Sequence, residues 1–122
     1  MTKKIMVVDD NLETIYTLKE GLEDLNENYS VYTAKSGEQC LELLKEEKPD
    51  LILLDIMMPG ISGWETYDKI KENSRWQNIP VVFLTARSDN IAKNAGRYLG
   101  HDYIEKPFDI EDLNKRISKI IG

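Results

Sequence analysis

Short apolar runs alternate along the chain with stretches in which apolar residues recur every three or four positions. The first pattern reads as strands buried on both faces, the second as amphipathic helices. Lys4–Val8 is the first apolar run, and Asp9 and Asp10 end it. Ile15, Leu18, Leu22 and Leu25 then carry a helical period, with Asp10 and Glu13 spaced as a capping box at its start. A short strand is expected at Ser30–Ala34. Ser36 and Gln39 open a second helix through Cys40, Leu43 and Leu44, and Pro49 bars its continuation. Leu51–Leu54 is a continuous apolar run that leads straight into Asp55. Ser62 and Glu65 form another capping-box pair, opening a helix to about Asn73. Pro80 leads into a strand at Val81–Leu84, Ser88 can cap a helix to about Tyr98, and Asp102–Glu105 is a last short strand. Asp109 and Asp112 start the final helix, with Leu113, Ile117, Ile120 and Ile121 on its inner face.

Five buried strands, each followed by a helix, predict an α/β fold: a doubly wound, five-stranded parallel sheet covered on both sides. Right-handed crossovers leave few topologies. With 122 residues, 41% of them hydrophobic, the chain suits one domain spanning 1–122. The net charge of −6 argues against direct nucleic-acid binding, which favours an excess of Lys and Arg. The lone cysteine, Cys40, excludes an intrachain disulfide. No apolar run approaches membrane-spanning length and the start lacks a signal-peptide pattern, so a cytoplasmic protein is expected, with no membrane partner.

An aspartate at the tip of a buried strand needs a reason, because burying charge is costly. Asp9 and Asp10 follow the first strand and Asp55 the third, so a parallel sheet brings all of them to its C-terminal edge, where open α/β sheets bind ligands. Three carboxylates at close range repel, and a hard divalent cation held by oxygen ligands, Mg2+, relieves that repulsion. Thr85 ends the fourth strand and Lys106 the fifth, at the same edge. A hydroxyl and an ammonium beside a carboxylate–metal cluster make sense if Asp55 accepts a phosphoryl group. The metal, Lys106 and Thr85 could each hold one of its oxygens.

Four motifs carry a family resemblance: VVDD (Val7–Asp10), LLDIMMPGISG (Leu53–Gly63), FLTA (Phe83–Ala86) and DYIEKPF (Asp102–Phe108). In this order and spacing, across nearly the whole chain, they resemble the receiver domain of two-component response regulators. The resemblance implies the flavodoxin-like strand order 2-1-3-4-5. It makes Asp55 the phosphoacceptor, Asp10 a direct metal ligand and Asp9 its partner, often through water. Asp55 and the Met57 backbone carbonyl would complete the protein's share of the Mg2+ ligands. Lys106 would pair with the acid and then with the phosphoryl group, across a cis bond to Pro107. Thr85 and Tyr103 would be the switch pair. Arg87 and Met57 would flank the phosphoryl site.

The implied function is transfer of a phosphoryl group to Asp55 from a sensor histidine kinase or a histidine phosphotransfer protein, with partial self-catalysed hydrolysis. Enzyme status in the turnover sense stays open. The conformational output would appear on the 88–121 face, formed by the predicted fourth helix, the last strand and the last helix. Lys93, Arg97, Lys115, Arg116 and Lys119 make that face more basic than the chain as a whole, which suits an acidic effector or a homodimer of phosphorylated copies. MTKK favours a natural N-terminus, and the domain is expected to be either free-standing or part of a longer protein. Two alternatives stay open: a phosphorelay shuttle without conformational output, and a degenerate receiver that serves only as an interaction module. A flavin-binding fold is disfavoured because Asp9 and Asp10 stand where a phosphate loop should be. A haloacid-dehalogenase-type phosphatase is disfavoured because its nucleophile follows the first strand.

Overall fold

The structure is a computed structural model that describes residues 2–85 and 103–122, with Thr85 and Tyr103 described by backbone alone. Its elements in order are β1 (Lys3–Val8), α1 (Leu12–Leu25), β2 (Tyr29–Ala34), α2 (Gly37–Leu44), β3 (Leu51–Asp55), α3 (Gly63–Glu72), β4 (Val81–Thr85), β5 (Tyr103–Glu105) and α4 (Ile110–Ile121). The predicted 88–98 helix, Arg87, Lys93 and Arg97 lie outside the described residues. The strands form one sheet, ordered β2-β1-β3-β4-β5, in which every pairing is parallel. This is the expected doubly wound α/β topology.

Side-chain alternation along each strand divides the core into two layers. Met6, Val8, Ile52, Leu54 and Phe83 face α2 and α3, packing with Cys40, Leu44, Tyr67 and Ile70. Ile5, Val7, Leu51, Leu53 and Leu84 face the opposite way, against Ile15, Leu18 and Leu22 of α1 and Leu113 and Ile117 of α4. All of β3 is buried, which explains its unbroken apolar sequence.

Local chemistry revises several expected details. Asn11, not Asp10, caps α1: its side chain accepts from the Glu13 and Thr14 amides at 2.9 and 3.1 Å. Asn11 has the extended backbone an N-cap needs, leaving the Asp10 carboxylate free to face the strand tips. Ser36 caps α2, but Gln39 accepts from the Lys35 amide instead of closing a box. The Ser62–Glu65 box forms in full. Leu25 and Ile120 are exposed at 44% and 37%, not packed inward. Both sit at the margin of their apolar stripe in the final turn of a helix. β3 runs one residue further than expected, through Asp55; β4 ends at Thr85, and β5 stops at Glu105 with Lys106 just beyond it.

β2 is an edge strand, and α1 occupies part of that edge. Glu23 accepts from the Val31 amide at 2.9 Å, and Lys19 donates to the Val31 carbonyl at 3.0 Å while pairing with Glu23. The hydrogen bond from Val31, and to a smaller degree Lys19, holds the Glu23 carboxyl below its usual range. A lowered carboxylate pKa contributes stability above the unfolded value, which is lost as pH falls through the folded one. Glu23→Ala should therefore cost about 1 kcal/mol at neutral pH, and progressively less below pH ~4. Urea denaturation across that range measures the difference.

Candidate functional site

The sheet register assembles the site. Val8 pairs with Leu54, so Asp9 and Asp55 each lie one residue beyond that pair on adjacent strands. Asp55 itself pairs with Leu84, and Thr85 with Glu105, which puts the end of β4 and Lys106 at the same edge. Carboxylate oxygens of Asp9, Asp10 and Asp55 all lie within 4.8 Å of one another. Asp9 is fully buried and Asp55 is 4% exposed, whereas Asp10 is open to solvent.

Asp9 is the best-satisfied acid of the three. One of its oxygens accepts from the Asn11 amide at 2.9 Å, and the other from Lys106 Nζ at 2.5 Å. Lys106 stands 3.7 Å from Asp55 Oδ1, so the tighter ion pair is with Asp9. The Lys106–Pro107 peptide bond is cis.

Asp55 bears most of the strain of the cluster. Its pKa is pushed up to about 7, first by burial and next by the Asp9 charge, with Lys106 partly offsetting the rise. Asp10 contributes to the same rise by its charge and by a shared hydrogen bond. Among the described residues, three acids against one ammonium leave excess negative charge in an all-oxygen setting with one solvent-facing member. Those residues fit a hard divalent cation such as Mg2+.

The structure thus brings together Asp9, Asp10, Asp55 and Lys106. Met57 lies in the β3–α3 connection and is 75% exposed. Thr85 and Tyr103 are at the right edge by backbone, and their side chains, like Asp102, lie outside the described residues. Two contributors escaped the sequence reading. Asn11 both caps α1 and fixes Asp9, and an Asn directly before a helical period was the signal for it. Gly63 abuts the Asp55 backbone: a Cβ there would lie 2.3 Å from the Asp55 carbonyl oxygen. No sequence signal marked that approach.

A cleft of about 430 Å3 opens beside Lys106, between Asn11, Thr14 and Thr17 on one side and Pro107 and Phe108 on the other. A larger one, about 580 Å3, lies between the α2–β3 and α3–β4 connections and holds none of the clustered groups.

A parallel 2-1-3-4-5 sheet with an acid cluster and a lysine at its C-terminal edge defines a class. The chain matches the response regulator receiver domain over residues 5–118 and belongs to that family. It is 42% identical over 118 residues to the uncharacterized transcriptional regulatory protein YrkP of Bacillus subtilis (strain 168), covering 96% of this chain and 48% of that protein. It is 38% identical over 122 residues to the alkaline phosphatase synthesis transcriptional regulatory protein PhoP of the same organism, covering 99% and 49%. The chain therefore spans about half the length of these relatives. Among solved structures, chemotaxis protein CheY4 of Vibrio cholerae matches with a TM-score of 0.88 at 26% identity, covering 98% of this chain and 99% of that one. The chain is accordingly a receiver domain of the two-component response regulators, a family that generally uses Mg2+ at an acidic pocket and interacts with histidine kinases and effectors. None of the described helices is long and apolar enough to cross a membrane.

Proposed function

We propose that residues 1–122 act as one phosphoacceptor domain, taking a phosphoryl group onto Asp55 from a phosphohistidine on a sensor kinase or a histidine phosphotransfer protein. The observation that carries this is the placement of Asp55. It is a buried carboxylate at the tip of a fully buried strand, with Lys106 at 3.7 Å and two further carboxylates within reach. An Asp55 oxygen attacks phosphorus, the P–N bond breaks, and the imidazole nitrogen keeps the bonding pair. The product is an aspartyl phosphate, which water later hydrolyses.

Asp9, Asp10, Asp55 and the Met57 backbone carbonyl would hold Mg2+, whose charge would offset that of the carboxylates and the phosphoryl oxygens. Lys106 shifts its pairing from Asp9 toward a phosphoryl oxygen. The Thr85 hydroxyl donates to another, and Tyr103 turns into the space Thr85 leaves. A phosphoryl group shifts a two-state equilibrium only through contacts that differ between the states, and Lys106 and Thr85 supply them. An effector, or a second phosphorylated copy, then meets the changed 88–121 face.

The test is intact mass after incubation with acetyl phosphate and Mg2+. Wild type should gain one phosphoryl group, and Asp55→Asn none. Retention of the label at wild-type stoichiometry in Asp55→Asn would move the acceptor elsewhere. Amide shifts on adding beryllofluoride should extend to Tyr103 and α4. Shifts confined to the metal loops would favour the phosphorelay shuttle.

A further inference from the structure

Residues 57–62 form a short excursion whose ends are well fixed. At its start, the Ile56 amide donates to the Leu84 carbonyl at 3.1 Å, continuing the pairing of β3 with β4. At its end, the Gly63 amide donates to the Ile56 carbonyl at 2.8 Å and closes the loop. Ser62 is tied to α3 by its capping box and by Thr66, whose hydroxyl donates to the Ser62 carbonyl at 2.8 Å. Met57, the first residue of the excursion, is held by neither set of contacts.

The middle of the loop rests on a different element. Glu38, in the first turn of α2, accepts from the Ile61 amide at 3.3 Å. Gly60 lies over the same carboxylate with φ +79, and a Cβ there would come within 2.8 Å of Glu38 Oε2. The neighbouring Gly37 is also shaped to this contact: a Cβ would lie 2.6 Å from the Ile61 side chain and 2.1 Å from the Thr66 hydroxyl. Each glycine removes a side chain where loop and helix meet. Among the described residues, the Glu38 carboxylate is the polar group that ties the 57–61 stretch to another element.

We propose that Glu38 is a positioning residue: through Ile61 and Gly60 it holds the β3–α3 loop so that the Met57 backbone can serve the carboxylate cluster. The inference rests on the metal reading given above. Glu38 itself does not belong to the cluster and acts through the loop backbone. A loop left free to sample other positions loses the preorganisation that a weak oxygen ligand needs.

The experiment compares wild type with Glu38→Ala and Glu38→Gln, since a glutamine oxygen can still accept from Ile61. Without metal, hydrogen exchange at the Ile61 amide should speed up in Glu38→Ala and stay near wild type in Glu38→Gln. In Mg2+ titrations followed by amide shifts at residues 9, 10 and 55–58, Glu38→Ala should bind about fivefold more weakly. Glu38→Gln should stay within about twofold of wild type. Equal weakening in both variants would assign the effect to charge and overturn the proposal. Faster Ile61 exchange with unchanged Mg2+ affinity would overturn it too, because the loop would then not set the site. Absence of Mg2+-dependent shifts in wild type would instead remove the metal reading itself, and the positioning role with it.

Discussion

Asp55→Asn should make the protein more stable, by an amount that grows with pH. In the folded state the Asp55 carboxyl titrates at about 7, against 3.8 for an unperturbed one, chiefly because it is buried and next because Asp9 is charged. Between those values the folded protein holds a proton that the unfolded chain has released. Stability therefore falls as pH rises through this window, and the full penalty stands above pH ~7. A rise of that size corresponds to at most about 4 kcal/mol. Asparagine keeps the shape, carries no charge, and can still donate to Asp10. The difference between variant and wild type should be near zero at about pH 4, open steadily to about pH 7, and then level off. Urea denaturation in the presence of a chelator measures it. Mg2+ should narrow the gap by stabilising wild type, because a ligand of the folded state alone adds stability by mass action. A difference that does not change with pH would mean that Asp55 is ionised throughout and that the cluster is less crowded than its geometry implies. The same substitution removes the proposed acceptor, so it should be the more stable and the inactive form at once.

That conflict was partly visible in the sequence. LLD at the end of Leu51–Leu54 set an acid against a run with no polar face, and the burial of all five β3 residues bears out the reading of a strand covered on both sides. The alternation of runs and helical periods was enough for the sheet, because each parallel strand needs a crossover and each crossover needs an amphipathic helix. What the sequence could not supply was lateral geometry. Lys106 can reach either acid from its place beyond β5, and only the packed side chains make Asp9 its closer partner. Asp10 and Asn11 are both good N-caps; the extended backbone at Asn11 decides between them, and so frees Asp10 for the cluster. Leu25 and Ile120 kept the helical period but fell at the margin of the stripe, where periodicity alone does not separate inside from outside.

Asp9 and Asp55 also divide the cluster into two kinds of acid. Asp9 has both oxygens occupied by Lys106 and the Asn11 amide, so its charge is stabilised where it lies. Asp55 has the weaker contact with Lys106 and shares its hydrogen bond with another acid, so it gains most from new positive charge. The group that is least satisfied at rest is the one the proposed chemistry modifies.

Gly63→Ala should cost about 3 kcal/mol or more and should disturb Asp55 directly. Gly63 opens α3, and its Cα lies so close to the end of β3 that an added Cβ would sit 2.3 Å from the Asp55 carbonyl oxygen and 2.7 Å from Ile56 Cα. Both obstacles are backbone, so no rotamer change relieves them. Either α3 must move out, breaking the 2.8 Å bond from the Gly63 amide to the Ile56 carbonyl, or the Asp55–Ile56 peptide must move in. The second path tilts the proposed phosphoacceptor, and the first loosens the Met57 loop. Ser62→Ala provides the contrast. It removes the cap at the same helix end and should cost only about 1 kcal/mol, without touching the strand tip. Denaturation midpoints and acetyl phosphate labelling, measured side by side, separate the two effects. Ser62→Ala should label at close to the wild-type rate, while Gly63→Ala should label at least tenfold more slowly even under conditions where it is fully folded, since small misplacements of reacting atoms carry large rate penalties. Normal labelling by folded Gly63→Ala would mean that α3 gives way outward and that the position of Asp55 is set by the sheet alone.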